Sequence, residues 1–309
     1  MKHRLNLPRK LFLFGALIAL FSISACKKDN NVKTDNTING IVSTTPDFST
    51  LNSAVMKAGL ASTLESAGPF TVFAPNNAAF TASGITPAVL GSLTAAQAKN
   101  ILLYHTIGAS IMAAQVPAGP NAPVAAANGD TLYVTNNSNG VFVNGIKVTE
   151  ADVKASNGVI HVIGNVLMPP SGNIVQMAQA DTSLSYLVAA VLRANLQGAL
   201  SGNGPFTVFA PTNAAFRSAG FPTIASIQAA DVNTLTSILT YHVIGARVFS
   251  SDLTDGEQVT TLNDEKISIG LMSGATVKGM SNMTPSNIIA TNIVATNGVI
   301  HLIDQVLLP

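Results

Sequence analysis

The sequence predicts an α+β protein made of two copies of one unit. The eight residues Gly-Pro-Phe-Thr-Val-Phe-Ala-Pro occupy positions 68–75 and recur unchanged at 204–211, which is 136 residues later (204 − 68). A run of this length does not recur by chance, so the chain contains an internal duplication. In each copy, helical spacing of apolar residues comes early and short β-branched runs come late. Segregation of helices from strands along the chain is typical of the α+β class.

The N-terminus resembles a bacterial lipoprotein signal peptide, which we predict to span residues 1–25. Its first ten residues include four lysines or arginines and no acidic residue, and residues 11–23 carry no charge. That stretch is shorter than the roughly 20 residues a membrane-spanning helix needs. Cys26, the single cysteine, follows Ile-Ser-Ala at the position where such a signal is cleaved and lipidated. An ordinary secretory signal with a chance cysteine is the alternative.

Residues 26–37 are polar and are predicted to form a flexible tether. Acyl chains on Cys26 would hold the protein on a membrane. We therefore expect a cell-envelope location, as an outer-membrane lipoprotein that faces the periplasm or the cell surface. Lys27, where aspartate would signal inner-membrane retention, agrees with that location. After the four basic residues that precede Cys26, 12 basic groups face 15 acidic ones, so a nucleic-acid partner is not expected.

The first unit is predicted to span residues 38–170 and the second residues 171–309. Each begins with an amphipathic helix, which in the first unit starts near a capping Asp47. Gly59 ends that helix in the first unit and Asn195 in the second, and both residue types suit a left-handed helix end. The apolar positions of the two helices are Phe48, Leu51 and Val55, and Leu184, Leu187 and Val191.

The repeated eight residues are predicted to form a buried strand, because Thr-Val-Phe is β-branched and aromatic. Asn77 and Asn213 follow the closing proline and are expected to cap a short helix. Further helices are predicted near 94–102 and 229–239. Both run into a second shared block, which begins Tyr-His at 104–105 and at 241–242.

The later part of each unit is predicted to consist of strands. In the first unit a loop at 117–129 precedes strands at 131–135 and 141–143, with Asn-Gly hairpin turns at 139–140 and 144–145. In the second unit the strands are placed at 259–262, 266–269 and 275–277, followed by a loop at 280–287. A third shared block, Asn-Gly-Val-Ile-His, occupies 157–161 and 297–301. Its Asn-Gly is predicted to make a turn, and the apolar run that follows is predicted to form the last, buried strand of each unit.

These three blocks, in the same order twice, resemble the fasciclin-like domain. The resemblance covers nearly everything after residue 37 and implies two tandem domains. Each would be a β-wedge of mostly antiparallel strands with a helical group to one side. Asn76 departs from the threonine that the family favours, which the second unit has as Thr212. That departure does not change the fold expectation.

No catalytic residue, metal site or cofactor is predicted, and the chain is not expected to be an enzyme. The sequence contains no Gly-x-Ser-x-Gly elbow, no Ser-x-x-Lys motif and no phosphate-binding glycine loop. The repeated blocks hold His105, His161, His242 and His301. Their spacing provides no metal-ligand pattern. We interpret them as structural groups that are hydrogen-bonded inside the fold.

The resemblance implies cell adhesion through contact with a surface or matrix protein, or with polysaccharide. In some family members the Tyr-His region is implicated in receptor contact, which here implies Tyr104, His105, Tyr241 and His242 as the candidate adhesion region. Because aliphatic residues flank both pairs, the side chains could instead pack in the core beside an exposed loop. The alternative function is a surface module for glycans or small ligands, which the lack of tryptophan disfavours. A purely structural role in the envelope is a third alternative.

Overall fold

The computed structural model describes residues 35–309. The predictions of a signal peptide, of lipidation at Cys26 and of most of the tether concern residues outside this range. Within it, the two halves of the chain repeat the same order of helices and strands. No helix of residues 35–309 is both long enough and apolar enough to cross a bilayer.

Domain one, which we define as residues 38–170, places its helices mainly before its strands. The helices are α1 (Ile38–Thr44), α2 (Ser49–Ala58), α3 (Ala61–Glu65), α4 (Asn77–Ala82), α5 (Pro87–Ser92) and α6 (Ala95–Tyr104). The strands are β1 (Phe70–Pro75), β2 (Thr106–Ile107), β3 (Gly119–Ala125), β4 (Thr131–Asn137), β5 (Gly140–Val143), β6 (Ile146–Ala155) and β7 (Gly158–Ile163).

Domain two, residues 171–309, repeats this order. The helices are α7 (Ile174–Ala180), α8 (Ser185–Arg193), α9 (Gln197–Leu200), α10 (Asn213–Ser218), α11 (Ile224–Gln228) and α12 (Val232–Tyr241). The strands are β8 (Phe206–Pro211), β9 (Val243–Ile244), β10 (Gln258–Thr260), β11 (Lys266–Gly270), β12 (Thr276–Lys278), β13 (Ser286–Ala295) and β14 (Gly298–Ile303).

Each domain has one seven-stranded sheet, and the two sheets have the same topology. The strand order is β2-β1-β7-β6-β5-β4-β3 in domain one and β9-β8-β14-β13-β12-β11-β10 in domain two. The repeated strands β1 and β8 pair in parallel with the closing strands β7 and β14. The other strand pairs are antiparallel. The predicted α+β fold with two tandem domains is confirmed.

Two hydrophobic layers hold domain one together. The first lies between the helices and the β1–β7 part of the sheet, and it includes Leu51 and Ile160. The second lies where the two halves of the sheet face each other, and it joins Phe73 of β1 to Leu132 and Val143. Domain two has the same two layers. The strands that carry the repeated blocks therefore contribute side chains to both cores.

The structure corrects the predicted caps. The helix after each repeated strand is capped one residue earlier than expected, by the side chains of Asn76 and Thr212. Asn77 instead accepts a hydrogen bond from the backbone N–H of Thr50 at 3.0 Å and so satisfies the start of α2. Asp47 provides no cap for that helix.

Two other local predictions have opposite outcomes. Gly59 and Asn195 take the left-handed conformation, with φ of 66° and 56°, as expected for the end of a helix. The prediction of a loop over 117–129 is wrong, since β3 occupies residues 119–125. β3 is an edge strand, and an edge strand tolerates Pro120 and Pro123 because one side of its backbone has no strand partner.

Candidate functional site

The candidate adhesion region at the Tyr-His block lies inside the protein. Tyr104 and Tyr241 are 0% exposed, and His105 and His242 are 1% exposed. Each pair stands at the end of a long helix, α6 or α12, directly before a short strand. The tyrosine of each pair belongs to the core between the two halves of the sheet. None of these four side chains is available on the surface to a partner, so any contact made by this region would involve residues beside it.

His105 and His242 tie the closing segment of each domain to a helix. The Nδ1 of His105 donates to the carbonyl oxygen of Ile101 at 2.8 Å, while its Nε2 accepts from the N–H of Leu167 at 2.9 Å. His242 makes the same two bonds in domain two. Acceptance at Nε2 requires a neutral ring. Burial lowers the pKa of both imidazoles to about 4, which keeps them neutral.

His161 and His301 also have structural partners. Their Nε2 atoms donate to backbone carbonyl oxygens, that of Ile111 at 2.8 Å and that of Val248 at 3.0 Å. Each ring lies against the phenylalanine opposite it in the parallel pair, at 5.6 Å from Phe73 or 5.5 Å from Phe209. Within residues 35–309 no group of three or more histidine, cysteine or acidic side chains is arranged to hold a metal ion.

The two tyrosine hydroxyls anchor surface segments. Tyr241 donates to the carbonyl oxygen of Lys266 at 2.6 Å and accepts from the N–H of Met280 at 2.9 Å. Tyr104 makes the equivalent bond to Thr131 at 3.2 Å, but its second partner is the side chain of Asn144 at 2.9 Å. The Tyr-His block therefore acts as internal support. In domain two it holds the loop that carries Met280.

Three methionines form the most exposed apolar group of domain two, which we call the methionine surface. Met272, Met280 and Met283 are 91%, 71% and 97% exposed. They lie on the two loops that flank β12, and the second loop is bonded to the C-terminal segment through Ser281 N–H and the Leu308 carbonyl at 3.2 Å. Methionine is flexible and polarizable, and it is common on surfaces that bind other proteins. Sequence reasoning missed this group, although three methionines within twelve positions, two of them in the predicted loop 280–287, were a visible signal.

A second surface is occupied within the chain, because the segment Arg247–Asp252 of domain two packs against β3 and β4 of domain one. The amide of Asn121 donates to the carbonyl oxygen of Arg247 and to the carboxylate of Asp252, both at 2.9 Å. The hydroxyl of Thr135 also donates to that carboxylate, at 3.3 Å. Asn137 donates to the carbonyl oxygen of Ser251 at 3.1 Å.

An aromatic contact accompanies these polar bonds. Phe249 is 0% exposed and its ring lies 6.0 Å from that of Tyr133 in domain one. The guanidinium of Arg247 also packs on the Tyr133 ring, in a cation–π contact 4.1 Å from the ring centre. The two domains are therefore joined by a mixed apolar and hydrogen-bonded interface rather than by the linker alone.

Comparison with known proteins gives a consistent result. The profile of the fasciclin domain matches residues 46–169 and 182–309. Human periostin is 32% identical over 249 residues, which is 80% of this chain and 29% of periostin. The Synechocystis protein sll1483 is 45% identical over 125 residues, which is 40% of this chain and 68% of that protein.

This chain spans about a third of the length of two vertebrate relatives, covering 35% of the pig transforming growth factor-beta-induced protein ig-h3 and 29% of human periostin. Among solved structures, the FAS1 domain pair of the insect cell adhesion molecule fasciclin I is 22% identical. That pair covers 85% of this chain, and the chain covers 97% of it, with a TM-score of 0.42.

Proposed function

Because this chain belongs to the fasciclin domain family, we propose that it is a lipid-anchored adhesion protein of the cell envelope that binds a protein of another surface or matrix. Fasciclin domains occur in cell-adhesion and matrix-interacting proteins. In this proposal Cys26 carries the lipid, and the two domains bind the partner.

The observation that supports protein contact most directly is the methionine surface. Single exposed apolar side chains are normal on a monomer, whereas several concentrated in one region indicate an interaction site. These three methionines fall within twelve positions, at the two ends of the three-residue strand β12. Met272 and Met283 are more than nine-tenths exposed, so burying them against a partner would remove nearly all of their apolar area from water. The hydroxyl of Tyr241 fixes the backbone at Met280, which lowers the entropy lost when this loop binds.

In this proposal the buried residues of the candidate adhesion region support the contact surface and do not touch the partner themselves. Tyr241 and His242 would position the loop and the C-terminal segment, while the exposed residues beside them make contact. Substitution of the buried pair would then weaken attachment only by loosening that surface.

Attachment of cells that express the full chain tests the proposal. The triple variant Met272→Ser, Met280→Ser and Met283→Ser should reduce attachment by about tenfold, since binding energy concentrates in a few side chains. Met56→Ser is the matched control, because Met56 is an exposed methionine, at 65%, on α2 of domain one. Unchanged attachment of the triple variant would eliminate this surface as the contact.

The lipid anchor has its own test. Cys26→Ser should abolish labelling by a radioactive fatty acid and should release the protein from the membrane fraction. Persistence of label in that variant would contradict acylation at Cys26.

The alternative function, glycan or small-ligand binding at the surface, has one supporting observation. A cleft of about 430 Å³ lies between the domains and is lined partly by polar side chains that include Asn165, Ser250 and Asn292. No aromatic side chain lines it. Specific saccharide signals on a glycan array, lost on substitution of Asn165, would favour this alternative over protein adhesion.

A further inference from the structure

Domain one contains a cavity between the two facing halves of its sheet. Its volume is about 250 Å³. One wall comes from β1, β2 and β7, and the other from β3, β4 and β5. The segment 110–117 lies between the walls at the mouth, where Ser110 and Gln115 are exposed. Phe73, Val116, Val124, Val134 and Val141 provide most of the apolar lining.

The polar groups in the lining have partners within the protein. The hydroxyl of Thr71 donates to the carbonyl oxygen of Ala109 at 2.6 Å and accepts from the N–H of Ile111 at 2.9 Å. The ring of His161 donates to the Ile111 carbonyl and accepts from the N–H of Asp152 at 3.2 Å. A polar or charged ligand group deep in the cavity would lose its hydration without a partner in return.

At two positions of this lining, domain two has larger side chains than domain one. Thr131 and Lys266 occupy equivalent positions, because their carbonyl oxygens accept from the hydroxyls of the two equivalent tyrosines. Val134 and Ile269 each lie three residues after these positions and therefore correspond. Val116 directly follows the short 3-10 helix between β2 and β3, and Leu253 directly follows the one between β9 and β10. These two residues therefore also correspond. Ile269 and Leu253 are 2% and 7% exposed and each is larger than its valine counterpart by one methylene. The two copies of the fold thus differ in side-chain volume at these two positions.

We propose that the cavity of domain one binds a small uncharged apolar molecule, either an aromatic ring or a short aliphatic chain with its polar end at Ser110 and Gln115. An apolar cavity of about 150 Å³ already accommodates benzene in another protein, so this volume suffices. No lysine or arginine lines the cavity. The Asp152 carboxylate lies 3.9 Å from Nδ1 of the lining residue His161 and accepts from the N–H of Ala113 at 2.9 Å. An anionic head group would therefore meet no attraction at the mouth.

Methyl NMR of the full chain can test this site with benzene, hexan-1-ol and hexanoate as probes. Benzene and hexan-1-ol should shift the methyl signals of Val116, Val124, Val134 and Val141 in a saturable manner. Hexanoate at pH 7 should bind at least about tenfold more weakly than hexan-1-ol, because its charge gains no partner. Equal binding of hexanoate, or no saturable shift with either uncharged probe, would overturn the proposal.

The double variant Val116→Leu and Val134→Ile gives domain one the residues that domain two already uses. It should fold with an unchanged or higher urea midpoint and should bind hexan-1-ol at least about tenfold more weakly, since the added methylenes occupy the space. Leu253→Val with Ile269→Val is the matched control, and it should leave binding in domain one unaltered. Full binding by the filled variant would refute the site. Attachment to a partner surface does not depend on this result.

Discussion

The guanidinium carbon of Arg247 lies 4.1 Å from the centre of the Tyr133 ring, and this contact joins domain two to domain one. Arg247 is itself fixed, because its Nη1 donates to the carbonyl oxygen of Gly298 at 2.8 Å on the last strand of domain two. Tyr133 is equally fixed, because its backbone N–H donates to the side chain of Asn144 at 2.8 Å. The contact therefore connects β4 of domain one to a segment that is bonded to β14 of domain two, and the domains should move together.

Arg247→Ala should weaken the coupling between the domains. The loss of a partly desolvated cation–π contact and of one charge-assisted hydrogen bond should lower the free energy of unfolding by about 1–3 kcal/mol. Calorimetry should then show domain one and domain two melting more independently than in the wild type.

Arg217→Ala is the control for Arg247→Ala. Arg217 stands 5.7 Å from the Tyr186 ring, but both residues belong to domain two. This variant should leave the coupling intact, and small-angle scattering should give wild-type dimensions. If calorimetry showed the same loss of coupling in both variants, the proposed role of Arg247 would be wrong.

Tyr241→Phe should loosen the methionine surface with little change elsewhere. It removes the hydroxyl that binds Lys266 and Met280, which should cost about 1–3 kcal/mol of unfolding free energy. Hydrogen exchange should rise at residues 279–283. Tyr186→Phe serves as control, since that hydroxyl donates to Pro222 at an exposed site. Unaltered exchange in Tyr241→Phe would argue against anchoring by the hydroxyl.

Stability should fall as the pH drops below the ordinary histidine pKa of 6.5. Burial lowers the pKa of His105, His242 and His301 to about 4 in the folded protein. Between pH 6.5 and about 4, these histidines bind protons in the unfolded chain but not in the folded chain. The free energy of unfolding therefore falls as the pH drops through this range. Each group contributes a slope of about 1.4 kcal/mol per pH unit.

Urea unfolding between pH 7.5 and 5.0 would measure this slope. His242→Gln removes one of the three groups, so its slope should be about one third smaller than that of the wild type, whatever its starting stability. A stability that stayed level between pH 6.5 and 5.0 would contradict the neutral, buried state of these imidazoles.

Asn157→Ala should be among the most damaging single substitutions in domain one. The Asn157 side chain accepts from the N–H of Ile38 at 2.9 Å and donates to the carbonyl oxygens of Leu64 and Ser66 at 2.8 and 2.7 Å. Its loss leaves buried backbone groups without partners and should cost at least about 3 kcal/mol.

Asn297→Ala should have the same effect in domain two, since Asn297 binds the equivalent groups of Ile174, Leu200 and Gly202. Asn165→Ala is the mild control, because that amide has only a 3.5 Å contact with Ser83. Chemical denaturation compares the three variants. Similar midpoints for Asn157→Ala and Asn165→Ala would rule out the proposed role.

The duplication made most of the fold predictable. Identical blocks at two places had to occupy equivalent environments, and the structure puts them on β1 and β8 and on β7 and β14. Left-handed ends at Gly59 and Asn195 followed from residue type alone. The burial of Tyr104 and Tyr241 agrees with their aliphatic neighbours.

Long-range partners could not be predicted in the same way. The sequence indicated a turn at Asn157 and a cap at Asn77, because both interpretations use only neighbouring residues. In the folded chain each amide binds backbone groups far along the sequence, 119 residues away for Asn157 and 27 for Asn77. The domain interface was missed for the same reason, since Arg247 and Tyr133 show no local pattern.

The close approach of β7 to β1 has a consequence for protein engineering. A side chain at Gly158 would overlap the carbonyl oxygen of Phe70, and one at Gly298 would overlap that of Phe206. These two positions therefore require glycine. In contrast, the segment 247–252, through which domain two contacts domain one, differs between the two domains. Its counterparts in domain one are Ser110 for Arg247 and Gln115 for Asp252. Domain one therefore lacks the groups with which domain two docks, and it has no means of contacting another domain in the same way.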